Sequence, residues 1–197
     1  MRQIGQIKQV QVQRASLKRG MKPHRYYDPA DIQVVEYLLL ASEGIVGVTA
    51  GGERILDIHN STHPESKNLD GVNGISLGFT SHYQAMRAKF GPHLWDGIAG
   101  ENILVETEEA IALETLGKRV AARDRETGAL LYLERLEVAA PCVEFSHFAL
   151  NKPEPVPAGM LRDALIFLND GQRGFYATFT GQKLLTLRAG DGIFVGI

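Results

Sequence analysis

A mainly β fold, barrel-like with a few attached helices, is what the sequence predicts, and three observations predict it. Many short apolar segments are separated by glycine turns, with 21 glycines spread through 197 residues. At the start of the chain apolar and polar residues alternate with a period of two, as in half-buried strands. Only two stretches carry the spacing of an amphipathic helix. Short strands, frequent turns and few helices argue for a sheet that closes on itself.

Residues 4–13 run from Ile4 into the alternation Val10-Gln11-Val12-Gln13 and predict the first strand. A polar connector over 14–29 follows, carrying Arg14, Lys18, Arg19, Lys22, His24 and Arg25. It reads either as a solvated loop or as an arm that closes over an anionic ligand. Residues 34–40 and 45–48 are rich in branched apolar side chains and broken by Gly44, Gly47, Gly51 and Gly52, so strands with glycine turns fit them. The polar segment 57–73 predicts a long loop, a length that often serves function.

The spacing predicts a helix over 81–90. Ser81 and Gln84 have the spacing of a capping box, Tyr83, Met86 and Phe90 share a core face, and Gly91-Pro92 supplies the stop. Gly100-Glu101-Asn102 turns into a strand over 103–105, and further strands are expected over 118–122, 130–133 and 136–139. The proline-rich stretch 151–157 is an extended connector, too short to separate a pair of domains, and residues 160–168 predict a second helix. Strands over 175–178, 184–187 and 193–195 close the chain, the last after the turn Gly190-Asp191-Gly192.

One domain over 1–197 is therefore expected. A formal charge of -2 gives no electrostatic reason to bind nucleic acid or an anionic membrane. The single cysteine cannot form an intrachain disulfide, no apolar h-region follows the first residues, and apolar runs stay as short as 37–41. The expectation is a soluble, cytoplasmic protein with neither nucleic acid nor membrane as partner.

Cys142 follows Pro141, which cannot donate to a ladder and turns the chain out of the sheet, so its sulfur falls at a strand end. Alone, it reads first as a small buried hydrophobe and only second as a functional thiol. A thiolate is a soft metal ligand and takes up sulfane sulfur, roles helped by a nearby cation, for which His147 and Arg173 are candidates. Asp57, His59 and His63 have a spacing open to a metal-dependent hydrolase. Lys152, Arg162 and Arg173 are cations suited to a phosphate, and Gly174 lets backbone approach a ligand closely. His82 and His93 read as surface or packing residues.

Taken in order, these pieces resemble the MOSC family, named from the C-terminal domain of molybdenum cofactor sulfurases. The likeness runs from about residue 34 to the C-terminus: Leu56-Asp57-Ile58-His59, then a helix, Gly100-Glu101-Asn102-Ile103, Leu116-Gly117-Lys118-Arg119-Val120, Pro141-Cys142, Arg173-Gly174 and Gly190-Asp191. The family's first motif opens on glycine where this chain has Leu56.

The resemblance implies a β-barrel-like fold with Cys142 as molybdenum ligand or persulfide carrier. It implies a molybdenum cofactor (molybdopterin) lined by Asp57, His59, Glu101, Asn102 and Arg173, and pyridoxal phosphate binding is a further property it implies. As partners it implies a sulfur donor such as a cysteine desulfurase, or a separate electron donor. Reduction of N-hydroxylated compounds is the enzymatic alternative. These 197 residues hold no counterpart of the ferredoxin module fused in some reductase members, so electrons are expected to come from a separate partner.

Overall fold

In the computed structural model, which describes residues 1–153, 155–181 and 184–196, the alternating segment at the start becomes the longest strand, β1 (Arg2–Gln13). A register shift between Ile7 and Gln9 changes its parity, so Ile7, Val10 and Val12 are all buried. The basic connector folds into a small hairpin of β2 (Lys18–Arg19) and β3 (Tyr26–Tyr27) and then a 3-10 turn at Pro29–Asp31 capped by Asp28. Next, β4 (Ile32–Val34) pairs with the end of β1. A meander follows of β5 (Tyr37–Ala41), β6 (Gly44–Val48) and β7 (Arg54–Leu56). The single strand expected over 34–40 is thus two strands on two sheets.

β8 (Ile75–Phe79) runs directly into α1 (Thr80–Phe90), and β9 (Ile103–Glu106) returns parallel to β8. A single turn, α2 (Leu113–Leu116), leads to the hairpin of β10 (Arg119–Arg123) and β11 (Leu130–Val138). The segments expected at 130–133 and 136–139 are one strand, interrupted by a register shift between Glu134 and Glu137 with Arg135 at φ 52°. Two helices, α3 (Val143–Leu150) and α4 (Ala158–Leu168), precede β12 (Phe175–Thr178), β13 (Leu185–Arg188) and β14 (Gly192–Val195). Glu154 of the proline-rich connector lies outside the described residues.

The order β14-β10-β11-β12-β8-β9-β1, with β14 pairing back onto β1, closes a seven-stranded barrel. The fold is mainly β, as the sequence predicts. Its interior is packed with aliphatic and aromatic side chains, among them Leu77, Phe79, Ile103, Val120, Leu133 and Phe175. A second apolar cluster lies outside the barrel, where Tyr83 and Met86 of α1 meet Phe145 and Ala149 of α3 and Leu168 of α4. Leu17 and Tyr27 of the connector join this cluster, so the basic segment is a packed arm. Among the described residues, no helix is long and apolar enough to cross a membrane.

The expected capping box is not formed. Phe79 occupies the N-cap of α1 with no side-chain cap, and the Ser81 hydroxyl instead bonds Thr107 Oγ1 at 2.9 Å. Strand and helix are continuous here, which leaves Ser81 buried and facing inward rather than at the helix mouth. Tyr83 and Met86 are buried as expected.

Candidate functional site

β11 ends at Val138, the Ala139 amide makes one further bond to the Gly174 carbonyl at 3.0 Å, and the chain has left the sheet before Pro141, not at it. Cys142 then stands at the N-cap of α3, with extended backbone, and its sulfur accepts the Phe145 amide at 3.4 Å. It fills the place usually taken by Ser or Asp. The Ser146 hydroxyl donates to the Cys142 carbonyl at 2.9 Å, fixing the same turn. The sulfur thus sits at the end of an eight-residue helix where negative charge is favoured. α3 is not among the helices expected from the sequence, and its one local signal is the i, i+4 pair Phe145 and Ala149, both fully buried.

The arm is docked on this helix. Tyr27 packs edge-on against Phe145, with ring centroids 5.0 Å apart, and its hydroxyl donates to the Ile98 carbonyl at 2.6 Å. Arg25 is ion-paired with Glu144 in the first turn of α3. Burial raises the pKa of Tyr27 well above that of a free phenol, so it stays neutral. Lys18 of the arm reaches the wall of a cavity of about 460 Å³ that also holds Cys142, Arg173, Glu101 and His59. A cavity of that size suits a small-molecule ligand.

Arg173 precedes β12. Its Nη2 donates to the Ala99 carbonyl at 3.2 Å, its guanidinium lies 5.4 Å from the Phe145 ring centroid, and its Nε is buried without a hydrogen-bond partner. Among the described residues no carboxylate forms a salt bridge with it. Glu101 is buried beside it and accepts from Tyr83 at 2.7 Å. Loss of water raises the Glu101 pKa, outweighing the Tyr83 hydrogen bond and the Arg173 charge.

Asp57 and Asn102 lie beneath the cavity and do not line it. Asp57 is wholly buried; Oδ2 accepts from the Gln13 amide and from Asn102 Nδ2, each at 2.8 Å. Its Oδ1 accepts from the amide and from ring Nδ1 of His59, both at 2.9 Å. That bond places the proton of neutral His59 on Nδ1 and leaves Nε2 as the nitrogen able to meet a ligand. Leu56 replaces the expected glycine without difficulty, because it is the last residue of β7, paired with Val46 in ordinary extended backbone. Asn102 Oδ1 in turn accepts from the amide and hydroxyl of Ser76 at 3.1 and 2.9 Å.

Other candidates lie apart. His63 bonds the Arg14 carbonyl through Nε2 at 3.2 Å and accepts the Glu65 amide at Nδ1, so both ring nitrogens are engaged. Among the described residues no group of three or more His, Cys, Asp or Glu side chains could hold a metal ion by itself. Lys152 and Arg162 are away from the cavity. His82 is buried, 5.3 Å from the Phe79 ring, and accepts the Ile111 amide at 3.0 Å. His93 bonds the Ala149 carbonyl at 3.1 Å. Tyr27, Lys67 and Tyr176 line the cavity and were not singled out in the sequence; an aromatic residue inside a basic loop was the available signal for Tyr27.

No family model matches the sequence, and no curated protein matches it. Among solved structures the chain is similar to the YuaD protein from Bacillus subtilis, at 15% identity and a TM-score of 0.57, covering 96% of this chain and 93% of that one. YiiM from Geobacillus stearothermophilus aligns at 12% identity and a TM-score of 0.49, over 96% of this chain and 74% of that one. At such identities the likeness is one of architecture: the chain shares the fold of the Bacillus subtilis YuaD protein.

Proposed function

We propose that the protein is a MOSC-type module whose cavity binds a molybdenum cofactor or carries sulfur as a persulfide on Cys142. One observation carries the reading: a thiol at a helix N-terminus shares a single cavity with a half-buried arginine that, among the described residues, no carboxylate ion-pairs. The order of the MOSC-like motifs supports it, as does a barrel fold of the kind that family implies.

The residues present fit such a group. Arg173 Nε is an orphaned donor that an anionic group would satisfy, and Lys18 and Lys67 add positive charge at the wall. Cys142 offers a soft sulfur donor for the metal, and His59 Nε2 a further contact oriented by Asp57. When bound, the cofactor supplies redox chemistry. The chain's own residues hold its anionic end, orient it and exclude water. For a sulfur carrier, the helix end and Arg173 stabilise the sulfur anion on Cys142.

Metal analysis with persulfide-sensitive mass spectrometry tests this, after reconstitution with cofactor or exposure to a persulfide donor. Wild-type protein is expected to carry molybdenum or a persulfide, and Cys142→Ser neither. Wild-type protein that takes up neither, or a variant that matches it in both, overturns the reading.

A further inference from the structure

Glu101 forms a section of the cavity wall yet is 4% exposed. Its carboxyl is fitted into space that Gly78 leaves, since a Cβ there would come within 2.5 Å of Glu101 Oε1. The Tyr83 hydroxyl lies 2.7 and 2.6 Å from the two carboxyl oxygens, and its own oxygen accepts the Ala99 amide at 3.0 Å. A phenol has a single hydrogen to give. Two short contacts to one hydroxyl are best filled when the carboxyl supplies a hydrogen of its own. Among the described residues no cation is ion-paired with Glu101, and an unpaired buried carboxylate is costly.

The groups acting on Glu101 come from several elements: Tyr83 of α1, Asp96 of the following loop and Arg173 ahead of β12. Asp96 is ion-paired with Lys8 and Arg87 and adds repulsion, not a partner. Arg173 in turn interacts with Tyr176, Tyr27 and Cys142.

From this geometry we propose that Glu101 stands at neutral pH as an uncharged carboxylic acid that gives its hydrogen to Tyr83, leaving the Arg173 charge uncompensated, so that the cavity selects an anionic ligand. The inference rests on the reading of this cavity as the functional site. Were Glu101 ionised, it would offset the Arg173 charge and weaken that selection, leaving Lys18 and Lys67 at the rim against Glu65.

Cys142 is the chain's one cysteine, so its alkylation reports the local potential without ambiguity. The ratio of its rates with iodoacetate, an anion, and iodoacetamide, its neutral analogue, is the measurement. At neutral pH, Glu101→Gln is expected to leave that ratio within about twofold of wild type, while Arg173→Gln lowers it severalfold. A severalfold rise of the ratio in Glu101→Gln shows a carboxylate and overturns the proposal.

Infrared spectra of wild-type protein with 13C-labelled glutamate give the same answer should the variant fail to fold. A protonated-carboxyl C=O band at neutral pH is expected, and its absence overturns the proposal. Neither measurement uses molybdenum or persulfide, so failure here is separable from failure of the cofactor and sulfur reading.

Discussion

Asp57 Oδ2 accepts a 2.8 Å hydrogen bond from Asn102 Nδ2, tying the loop after β7 to the turn before β9 although the residues are 45 apart in sequence. The same carboxylate holds the Gln13 amide of β1 and both the amide and ring of His59. Three segments therefore meet on one side chain. Asp57→Ala strands these donors in a dry setting and is expected to cost on the order of 3–5 kcal/mol in urea unfolding. A loss below about 1 kcal/mol would show that water reaches these groups.

Serine is a good N-cap, so Cys142→Ser should keep the first turn of α3 and leave Tm within a few degrees of wild type. Cys142→Ala removes the acceptor for the Phe145 amide and is expected to lose about 1 kcal/mol. Thermal unfolding of the two variants separates the sulfur's chemical role from its capping role. Equal destabilisation of both would remove the capping account.

Burial holds the His82 pKa down to about 4 from 6.5, while its Nε2 accepts the Ile111 amide. Between those two values the unfolded chain binds a proton there that the folded chain lacks. Stability should therefore fall as pH drops through 6.5 towards 4, by on the order of 3 kcal/mol from this residue, with no effect above that window. Urea unfolding from pH 4 to 8 reads the slope, and His82→Gln should flatten it.

Gly174 sits at φ 110°, and a Cβ there would stand 2.4 Å from the Leu77 carbonyl oxygen. Gly174→Ala combines backbone strain with a clash against β8 and should cost about 2–4 kcal/mol. The adjacent Arg173 would shift with it. A calorimetric Tm unchanged from wild type would contradict this geometry.

The Arg25–Glu144 pair, with the Glu144 side chain 7% exposed, fastens the arm to α3 beside Cys142. Arg25→Ala is expected to loosen the arm by about 1 kcal/mol and speed alkylation of Cys142 by iodoacetamide roughly fivefold. An unchanged rate would mean that Tyr27 packing alone holds the arm.

The barrel strands were legible because their signals are local. Alternation marked β1, and Gly190-Asp191-Gly192 marked the turn into β14. α3 was hidden because it is short, follows a proline, and is capped by cysteine instead of serine or aspartate. The Ser81–Gln84 spacing misled because β8 passes into α1 without a break, burying Ser81 against Thr107. Cys142, Arg173 and Glu101 could be named one by one as candidates. Their meeting in one cavity, and the arm that bounds it, depend on long-range packing of Tyr27 and Phe145 that no local pattern records.

The pairing of Arg2 with Val195 joins the two extremes of the barrel's chain path. During synthesis on the ribosome, residues 192–195 emerge long after β1, so until then the partner edges of β1 and β10 stay open. Such edges invite pairing with other chains. A nascent chain thus depends on its last strand to shut the sheet, and truncation there should turn a well-behaved protein into an aggregating one.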